Sequence, residues 1–527
     1  MGNDGPMMIN RRKASSRLGA LTLGVLNLPL AAQNSNVNSA DSRKDSSKDI
    51  STDGINAARQ VELTAEQARR DWAILRRAFT DLHPGLYNFI TPAQLEAAFA
   101  AANEAVAQGA SRAQMVWWAS ILAATVRCGH TWASHYNQRD DVVRTVFQRA
   151  DKLPFTLRWV GARALVTASA DAAVMPSTEL LAINGRAMVD IADALLPALR
   201  ADGSSDGKRW SQLDSGPHGG AMDRLFPLWL PPHLGRYHLT LHDGTAQREI
   251  EAATLSQAAR DKALPNPATD WHFQINGDIG VITTPTFAFR RGQFDYKEFL
   301  ADAFKRLQSV PFLVIDQRRN EGGDDALGRA LLSYLLRQPY TEPATRVESA
   351  FERVPYLLAR YLDTWDFDFF DRTGLVKRGP GRNWLMPDKP PRRVMPVASP
   401  YAGQTWLLMG AQNSSAGFLF ARNVKASGAA TLVGQPSGGN LRGLNGGQLA
   451  WVTLPNSGVA VDIPLLAHVV LNNPPDSGVL PDVAVKPNWD AASAGLDSEM
   501  AVVHRLIAAK RPNATANIPA WNTARPG

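Results

Sequence analysis

The sequence predicts an α/β protein of several domains. Residues 63–150 show helical periodicity, residues 151–265 show short alternating strands, and residues 266–508 alternate apolar strands with helices. The chain has 527 residues, of which 45% are hydrophobic and 20% charged. This composition is typical of globular proteins, and the length suits three or more domains, or two with an appendage.

The first 32 residues resemble an export signal. Arg11, Arg12 and Lys13 precede the apolar stretch LGALTLGVLNLPLAA, which ends in small residues. The polar tract that follows, to residue 62, is expected to be a disordered linker. We therefore expect export to the periplasm or the medium, and an uncleaved membrane anchor or a disordered tail is the alternative.

Composition argues against several classes of partner. The net charge is +7, and the first 32 residues supply +3 of it, so the remaining +4 is too small to indicate nucleic-acid binding. No later segment has 18 consecutive apolar residues, so no membrane span is expected beyond the signal. Cys128 is the only cysteine, which excludes an internal disulfide. His238 and His242 share a strand face without a third ligand at a suitable spacing, so neither a metal nor a cofactor is expected.

The segment 63–150 is expected to be a helical bundle. Thr64 with Gln67, and Thr91 with Gln94, have the spacing of capping boxes at helix starts. In the following segment, paired short strands surround an amphipathic helix, and residues 210–233 are expected to be a long irregular loop.

The third segment, 266–508, is expected to contain a sheet of apolar strands. Asn276-Gly277 marks a hairpin turn, and the strand PFLVIDQ is apolar enough for a buried parallel sheet. Residues 509–527 form a C-terminal tail.

Residues 410–425, GAQNSSAGFLFARNVK, place two serines between a predicted strand and a predicted helix. A serine at such a corner lies beside the positive end of the helix dipole and near free backbone N–H groups. The position favours an anionic tetrahedral intermediate, but it equally favours an ordinary helix cap. Ser414 and Ser415 therefore stay candidates for either role.

The loop after the strand LVIDQ supplies a possible partner for this corner. Carboxyl ends of strands are the edge where open α/β sheets place their sites. Gly322 and Gly323 can adopt positive φ and present N–H groups without side chains. With the N–H of Ala416, they would form an oxyanion hole, and a purely structural turn is the alternative.

Several ordered motifs together resemble the tail-specific (C-terminal processing) serine peptidases, on their tricorn-like and interphotoreceptor retinoid-binding-protein-like side. The motifs are LHPGLYNF, RCGHTWASH, LVIDQRRNEGG, NSSAGFLFA with LVGQPSGGN, and SGVLPDVAV. Between them, STELLAINGR resembles part of a PDZ domain. The resemblance covers residues 63–508 and implies a helical bundle (63–150), a PDZ-like β-rich domain (151–265) and an α/β crotonase-like peptidase core (266–508). It also implies a peptide or protein substrate, docked by its C-terminus.

Carried over by motif, the family's nucleophile falls on Ser415 and the tricorn-like general base on His130. The resemblance thus implies an exported serine peptidase with the oxyanion hole at Gly322, Gly323 and Ala416. A Ser-Lys dyad is excluded at the family's lysine position, because Asn440 stands there.

Two departures favour a second reading, a catalytically weak or inactive relative that binds a peptide or an apolar ligand. Phe418 stands where many members have an acid, and Gly129 stands where tricorn-like enzymes have a hydroxyl beside the histidine. The acid that orients His130 is expected to be Asp476. Without such an acid the imidazole tautomer is less well controlled.

Overall fold

The computed structural model describes most of the chain. The described residues are 62–511, except 216–219, 266–268, 291 and 380. The predicted export signal, almost all of the predicted linker and most of the C-terminal tail lie outside the described residues. None of the described helices is both long and apolar enough to cross a membrane.

Three helices open the described part, and their predicted start signals are confirmed. Thr64 accepts a hydrogen bond from the backbone N–H of Gln67, and Thr91 accepts one from Gln94. In both cases the glutamine Oε1 accepts a hydrogen bond from the backbone N–H of the threonine, which completes each capping box. The helices are Ala65–Leu82 (α1), Pro92–Ala105 (α2) and Arg112–Thr125 (α3).

The hydrophobic core of these helices is shared with a distant part of the chain. Their buried side chains pack with those of the strands Leu449–Thr453 and Ala460–Pro464. The buried carboxylate of Asp71 on α1 accepts hydrogen bonds from the backbone N–H groups of Asn456 and Ser457, in the turn between the two strands. Helix α1 is therefore held against the C-terminal half of the chain.

An antiparallel sheet of six strands follows. Its order is β1-β2-β3-β5-β6, with β4 paired to β3. The strands are Phe155–Val160 (β1), Arg163–Ser169 (β2), Glu179–Ile183 (β3), Arg186–Ala187 (β4), Arg236–His242 (β5) and Gln247–Ala253 (β6). The helix Met188–Leu195 (α4) packs its buried face on this sheet.

The expectation of an irregular loop at 210–233 is wrong in part. That stretch contains the end of the helix Gly207–Gln212 (α5) and two helices of one turn each, Ala221–Arg224 and Phe226–Trp229. Met222 and Phe226 are fully buried and anchor these turns. A single turn is too short to produce the repeated spacing by which a sequence signals a helix.

A second six-stranded sheet forms the third part of the chain. Strands β8 to β12 are parallel, and β7 is antiparallel at the edge as the first arm of the predicted Asn276-Gly277 hairpin. In order across the sheet, the strands are His272–Asn276 (β7), Ile279–Thr283 (β8), Phe312–Asp316 (β9), Gln404–Met409 (β10), Thr431–Gly434 (β11) and Val483–Ala484 (β12). The longer helices of this part are Tyr296–Leu307 (α6), Asp325–Leu335 (α7), Ser415–Ser427 (α8) and Ser498–Ala508 (α9).

Short strands and helices complete the described fold. The further strands are Tyr340–Thr341, Thr345–Ser349, Leu362–Asp363, Lys377–Arg378, Trp384–Leu385, Arg393–Val394, Gly443–Asn445 and Ala467–Val470. The further helical turns are Asp140–Val142, Val143–Phe147, Leu196–Ala198, Gln257–Ala263, Tyr356–Ala359 and Trp489–Ser493.

The parallel sheet explains where polar side chains converge. Strands β9 and β10 are neighbours and run in the same direction, so both end at the same edge. The loop with Gly322 and Gly323 leaves β9 at that edge, and the corner with Ser414 and Ser415 leaves β10 beside it. The two loops are thereby brought together, as the strand pattern predicts.

Candidate active site

The corner between β10 and α8 is held by Asn413. Its side chain accepts a hydrogen bond from the Gly410 N–H at 2.9 Å and donates to the carbonyl oxygens of Gln317 at 2.5 Å and Asn320 at 3.0 Å. The next two residues then turn the chain sharply into the helix. A buried amide thus fixes the corner to the end of β9.

Ser415 is the first residue of α8 and has a φ of 48°. Left-handed backbone at a residue other than glycine costs roughly 1–3 kcal/mol and persists only where the surroundings enforce it. Ser414 occupies the N-cap position, but its side chain makes no capping hydrogen bond. Ser414 therefore does not make the side-chain hydrogen bond to a helix N–H that defines a helix cap.

The two glycines after β9 lie directly against this corner. Gly322 and Gly323 have φ values of 113° and 133°, as the sequence predicts for residues without side chains. A Cβ atom at Gly322 would lie 2.8 Å from the Cβ of Ser415 and 2.8 Å from the nitrogen of Ala416. A Cβ atom at Gly323 would lie 2.1 Å from the carbonyl carbon of Phe287. Both positions therefore require glycine on steric grounds alone.

The three predicted oxyanion donors differ in availability. The N–H of Gly322 donates to Asn320 Oδ1 at 2.8 Å, so it is already used. Within the described part of the chain, no hydrogen bond uses the N–H of Gly323 or of Ala416. The expectation of three donors is thus reduced to two, because Asn320 competes for the first of them.

His130 lies in the loop after α3, and its neighbour Gly129 is clamped on both sides. The Gly129 N–H donates to Asp202 Oδ1 at 2.6 Å, and the Gly129 carbonyl oxygen accepts from Arg200 Nη1 at 2.7 Å. The imidazole lies over Gly446, where a Cβ atom would be 3.5 Å from its Cε1. The backbone beside His130 is therefore fixed by charged side chains.

The imidazole itself has few polar contacts. Among the described residues, none hydrogen-bonds to Nδ1, and no hydrogen bond joins the ring to Ser415 Oγ. Burial, followed by the positive charges of Arg200, Lys208 and His468, lowers the pKa of His130 to about 3. The ring is therefore neutral at pH 7, but with so low a pKa it is a weaker base than an unperturbed imidazole.

Asp476, the predicted orienting acid, lies elsewhere in the site. Its carboxylate accepts hydrogen bonds from the backbone N–H and Oγ of Ser204, at 2.9 and 3.0 Å, and from Asn440 Nδ2 at 2.6 Å. Among the described contacts of Asp476, none involves His130. The expectation that Asp476 orients the imidazole is thus not met by these contacts, because the closing loop pairs with residues 204 and 440 instead.

Phe418 is one of the two departures from the family resemblance, and its contacts explain the aromatic side chain. It is buried, and a Cβ atom at Gly439 would lie 2.3 Å from the Phe418 ring. The ring therefore packs against the glycines of the SGGN turn. An acid at this position would have to be buried in the same space.

The segment 200–208 contributes side chains that sequence analysis did not single out. Arg200 and Asp202 hold the His130 loop, Ser205 Oγ donates to the Gly439 carbonyl oxygen at 2.8 Å, and Lys208 reaches the serine corner. This segment has no motif or periodicity, and the Lys208–Ser414 contact joins positions 206 residues apart. No signal in a single sequence predicts such a contact.

Metal ligation finds no support in the described residues. They contain no cluster of three or more histidine, cysteine, aspartate or glutamate side chains that could hold an ion. His238 of the earlier histidine group lies 3.5 Å from Glu249 across the sheet.

Comparison with solved structures identifies the fold. The structure of mature CPAF complexed with lactacystin aligns with a TM-score of 0.57 and 15% identity, over 84% of this chain and 97% of that one. A second structure of mature CPAF aligns with a TM-score of 0.53 and 15% identity, over 81% and 94% of the two chains. A comparison with curated protein sequences found no match.

A family model locates the peptidase region in the sequence. Residues 278–485 match the model of peptidase family S41. The match begins in the turn before β8 and ends just after β12, so it contains the parallel strands, the diglycine loop and the serine corner. This match supports a serine peptidase of the tail-specific family S41.

Proposed function

We propose that Ser415 is the nucleophile of an exported peptidase and that His130 is its general base. Ser415 Oγ attacks the carbonyl carbon of a peptide bond, and its proton passes to His130. The oxyanion accepts hydrogen bonds from the N–H groups of Gly323 and Ala416. When the C–N bond breaks, His130 returns the proton to the leaving amine, and water then hydrolyses the acyl group on Ser415.

The observation that carries this proposal is the conformation of Ser415. Its left-handed backbone lies at a strand-to-helix corner, directly against Gly322, where a Cβ atom would be 2.8 Å from the Ser415 Cβ. The first N–H groups of α8 and the dipole of that helix favour negative charge at the same place. One preorganised donor of an oxyanion hole is typically worth about 3 kcal/mol of transition-state stabilisation.

The proposal requires the two catalytic side chains to approach each other during binding. Catalytic hydrogen bonds are often long before substrate binds and tighten in the complex. The clamp of Asp202 and Arg200 on Gly129 fixes the backbone, so rotation of the His130 side chain or a small closure of the loops supplies the approach.

The remaining assignments belong to the same proposal. The antiparallel sheet of β1 to β6 would be the PDZ-like domain that docks a substrate C-terminus by strand addition. The parallel sheet would be the crotonase-like core, and the three-helix segment the bundle that carries His130. Residues 1–32 would direct the chain to the periplasm or the medium.

A specific observation favours a second candidate, a weakly active or inactive relative that binds a peptide or apolar ligand. The Nδ1 atom of His130 has no partner among the described residues, and Asp476 bonds to other groups. An imidazole without a fixed tautomer is a poorer base.

Peptide cleavage by the folded protein decides between the two candidates. The chain without residues 1–32 is incubated with a peptide library and with casein, and products are identified by mass. We expect cleavage that falls at least about 1,000-fold in Ser415→Ala and in His130→Ala. Ser427→Ala, at the far end of α8, and His272→Ala, on the exposed edge strand, serve as matched controls and should keep full activity. Unchanged cleavage in Ser415→Ala, or no cleavage by the folded protein, would contradict the proposal and favour the binding role.

A further inference from the structure

Lys208 is a buried charge at the active site that the proposed mechanism does not use. It lies on the short helix α5, 1% exposed, and its alkyl chain packs against Gly438, where a Cβ atom would be 2.8 Å from its Cδ. Burial lowers the pKa of Lys208, and the Glu321 carboxylate opposes that shift. A buried ammonium is retained only where hydrogen bonds and an opposite charge compensate its lost hydration.

All three donors of the ammonium group are used. Lys208 Nζ donates to Glu321 Oε1 at 3.0 Å, to the Gln412 carbonyl oxygen at 2.9 Å and to Ser414 Oγ at 3.1 Å. Ser414 Oγ in turn donates to a backbone carbonyl oxygen, that of Glu321 at 3.2 Å or that of Gln412 at 3.3 Å. An ammonium with three engaged donors has no free lone pair, so in this arrangement Lys208 is not a base for either serine.

These acceptors belong to the two loops that must meet during catalysis. Glu321 immediately precedes the glycines of the diglycine loop, and Ser414 immediately precedes Ser415. Lys208 therefore joins the loop that carries the Gly323 N–H to the loop that carries the nucleophile. Both loops leave neighbouring parallel strands, and no backbone hydrogen bond within the described residues directly joins residues 321–323 to residues 412–416.

We propose that Lys208 is a positioning residue, which sets the distance between Ser415 Oγ and the oxyanion-binding N–H of Gly323. This inference rests on the proposed function of Ser415. The ion pair with Glu321 is the main contact in this role, because Glu321 is the residue next to the two glycines. The bond to Ser414 fixes the other side, which explains why the N-cap serine does not cap its own helix.

If Lys208 positions the site, its loss should lower kcat, whereas the loss of a merely structural ion pair should lower only stability. Lys208→Met keeps the alkyl chain and removes the charge, so the two loops lose the ammonium group that joins them, while the bond of Ser414 Oγ to the Glu321 carbonyl oxygen remains available. A displacement of about 1 Å between reacting groups costs about 100-fold in rate. We expect kcat to fall by about that factor, with KM nearly unchanged, since the interaction acts on the transition state.

The matched control is a second buried lysine, whose described contacts lie outside the proposed site. Lys152 is 1% exposed and pairs with the buried Asp151 at 2.5 Å. Lys152→Met therefore also removes a buried charge, and it leaves the buried Asp151 carboxylate with Arg149, at 3.4 Å, as its ion-pair partner. It should lower the thermal unfolding midpoint as Lys208→Met does, while the kcat of the folded protein stays at the wild-type value.

The experiment measures kcat and KM on one cleaved peptide, together with the rate at which a fluorophosphonate inactivates each variant. The variants are Lys208→Met, Lys208→Arg, Glu321→Gln and the double variant Lys208→Met with Glu321→Gln. We expect partial rescue by arginine, and no further loss in the double variant, because the pair acts as one unit. If Lys208→Met does not fold, Glu321→Gln tests the same link, since it removes the charge at the other end.

Two failures are distinguishable. Wild-type protein that is folded but neither cleaves peptide nor reacts at Ser415 overturns the proposed function, and the positioning role falls with it. Active wild-type protein whose kcat is unchanged in Lys208→Met and in Glu321→Gln, while unfolding midpoints fall as for Lys152→Met, overturns the positioning role alone.

Discussion

At the scale of single residues, two adjacent serines have different surroundings. Ser414 is buried, and its Oγ takes part in the hydrogen bonds of Lys208. Ser415 has left-handed backbone and lies against Gly322. The serine pair by itself leaves both roles open for both residues, because Ser is favoured at any helix start, and only the family resemblance points to Ser415. The backbone conformation separates them, since strain of this kind collects at functional sites.

The low pKa of His130 predicts an unusual pH dependence. A general base must be neutral, and burial with nearby positive charge lowers the pKa of His130 to about 3. We expect kcat/KM to keep its neutral-pH value down to about pH 4.5, whereas an unperturbed histidine with a pKa near 6.5 loses about tenfold per pH unit below that value. The measurement is kcat/KM from pH 8 to pH 4 on one peptide, at constant ionic strength.

The control for that profile is the folded fraction, followed by circular dichroism at each pH. His83 is fully buried, and burial lowers its pKa to about 3 as well. The unfolded chain binds these protons near pH 6.5 and the folded chain does not until about pH 3, so stability falls as the pH drops below 6.5. Burial raises the pKa of Asp202 to about 6, but a neutral carboxyl keeps an oxygen that accepts from Gly129. An acidic limb near pH 6.5 in fully folded protein would contradict the assignment of His130.

Motifs point to the residues at the centre of the proposed site, but they give no information on contacts between distant segments. His130 and Ser415 are 285 positions apart, and each was placed by its own local motif. Lys208 and Asp202 lie in a segment without a motif, and they matter only through their contacts with Ser414 and Gly129. Asp476 was placed by motif in the closing loop, but its partner depends on the path of residue 204, which nothing local determines.

At the scale of secondary-structure elements, the sequence predicted the strands of the parallel sheet well. Runs such as LVID and WLLM are buried on both faces, so their apolar character is continuous and easily recognised. Capping boxes marked the starts of α1 and α2 for an equally local reason. The turns near Met222 and Phe226 were missed because a helix of four residues has no period to detect.

The junction between α1 and the strand pair near residue 456 gives a stability prediction. Asp71→Ala removes the acceptor of two backbone N–H groups, and it leaves the buried one of Ser457 and the partly buried one of Asn456 without this partner. We expect the free energy of unfolding to fall by about 3 kcal/mol, from the cost of unsatisfied buried donors. The measurement is urea unfolding followed by tryptophan fluorescence.

A partly exposed aspartate on the same helix is the matched control. Asp81 pairs with Arg77 one turn earlier at 3.1 Å, and surface pairs of this kind contribute less than about 1 kcal/mol. Asp81→Ala should therefore change stability little. Equal losses in the two variants would show that helix propensity, and not the junction, determines the effect.

At the scale of the whole molecule, distant segments are joined by the cores and by the site. The core of α1 to α3 includes the strand pair of residues 449–464, and the backbone N–H of Trp132 donates to the Asp462 carbonyl oxygen across that junction. The segment 200–208, which follows α4, touches both the His130 loop and the serine corner. The proposed active site thus requires all three parts of the described chain.

The central claim is that Ser415 is a serine activated by its surroundings, and one measurement tests it most directly. The chain lacking residues 1–32 is treated with a fluorophosphonate probe, and the adduct is located by mass analysis of its peptides. We predict a single adduct on Ser415 that is absent in Ser415→Ala and strongly reduced in His130→Ala. An adduct on Ser414 instead, or no adduct in protein whose circular dichroism shows it folded, would contradict the account.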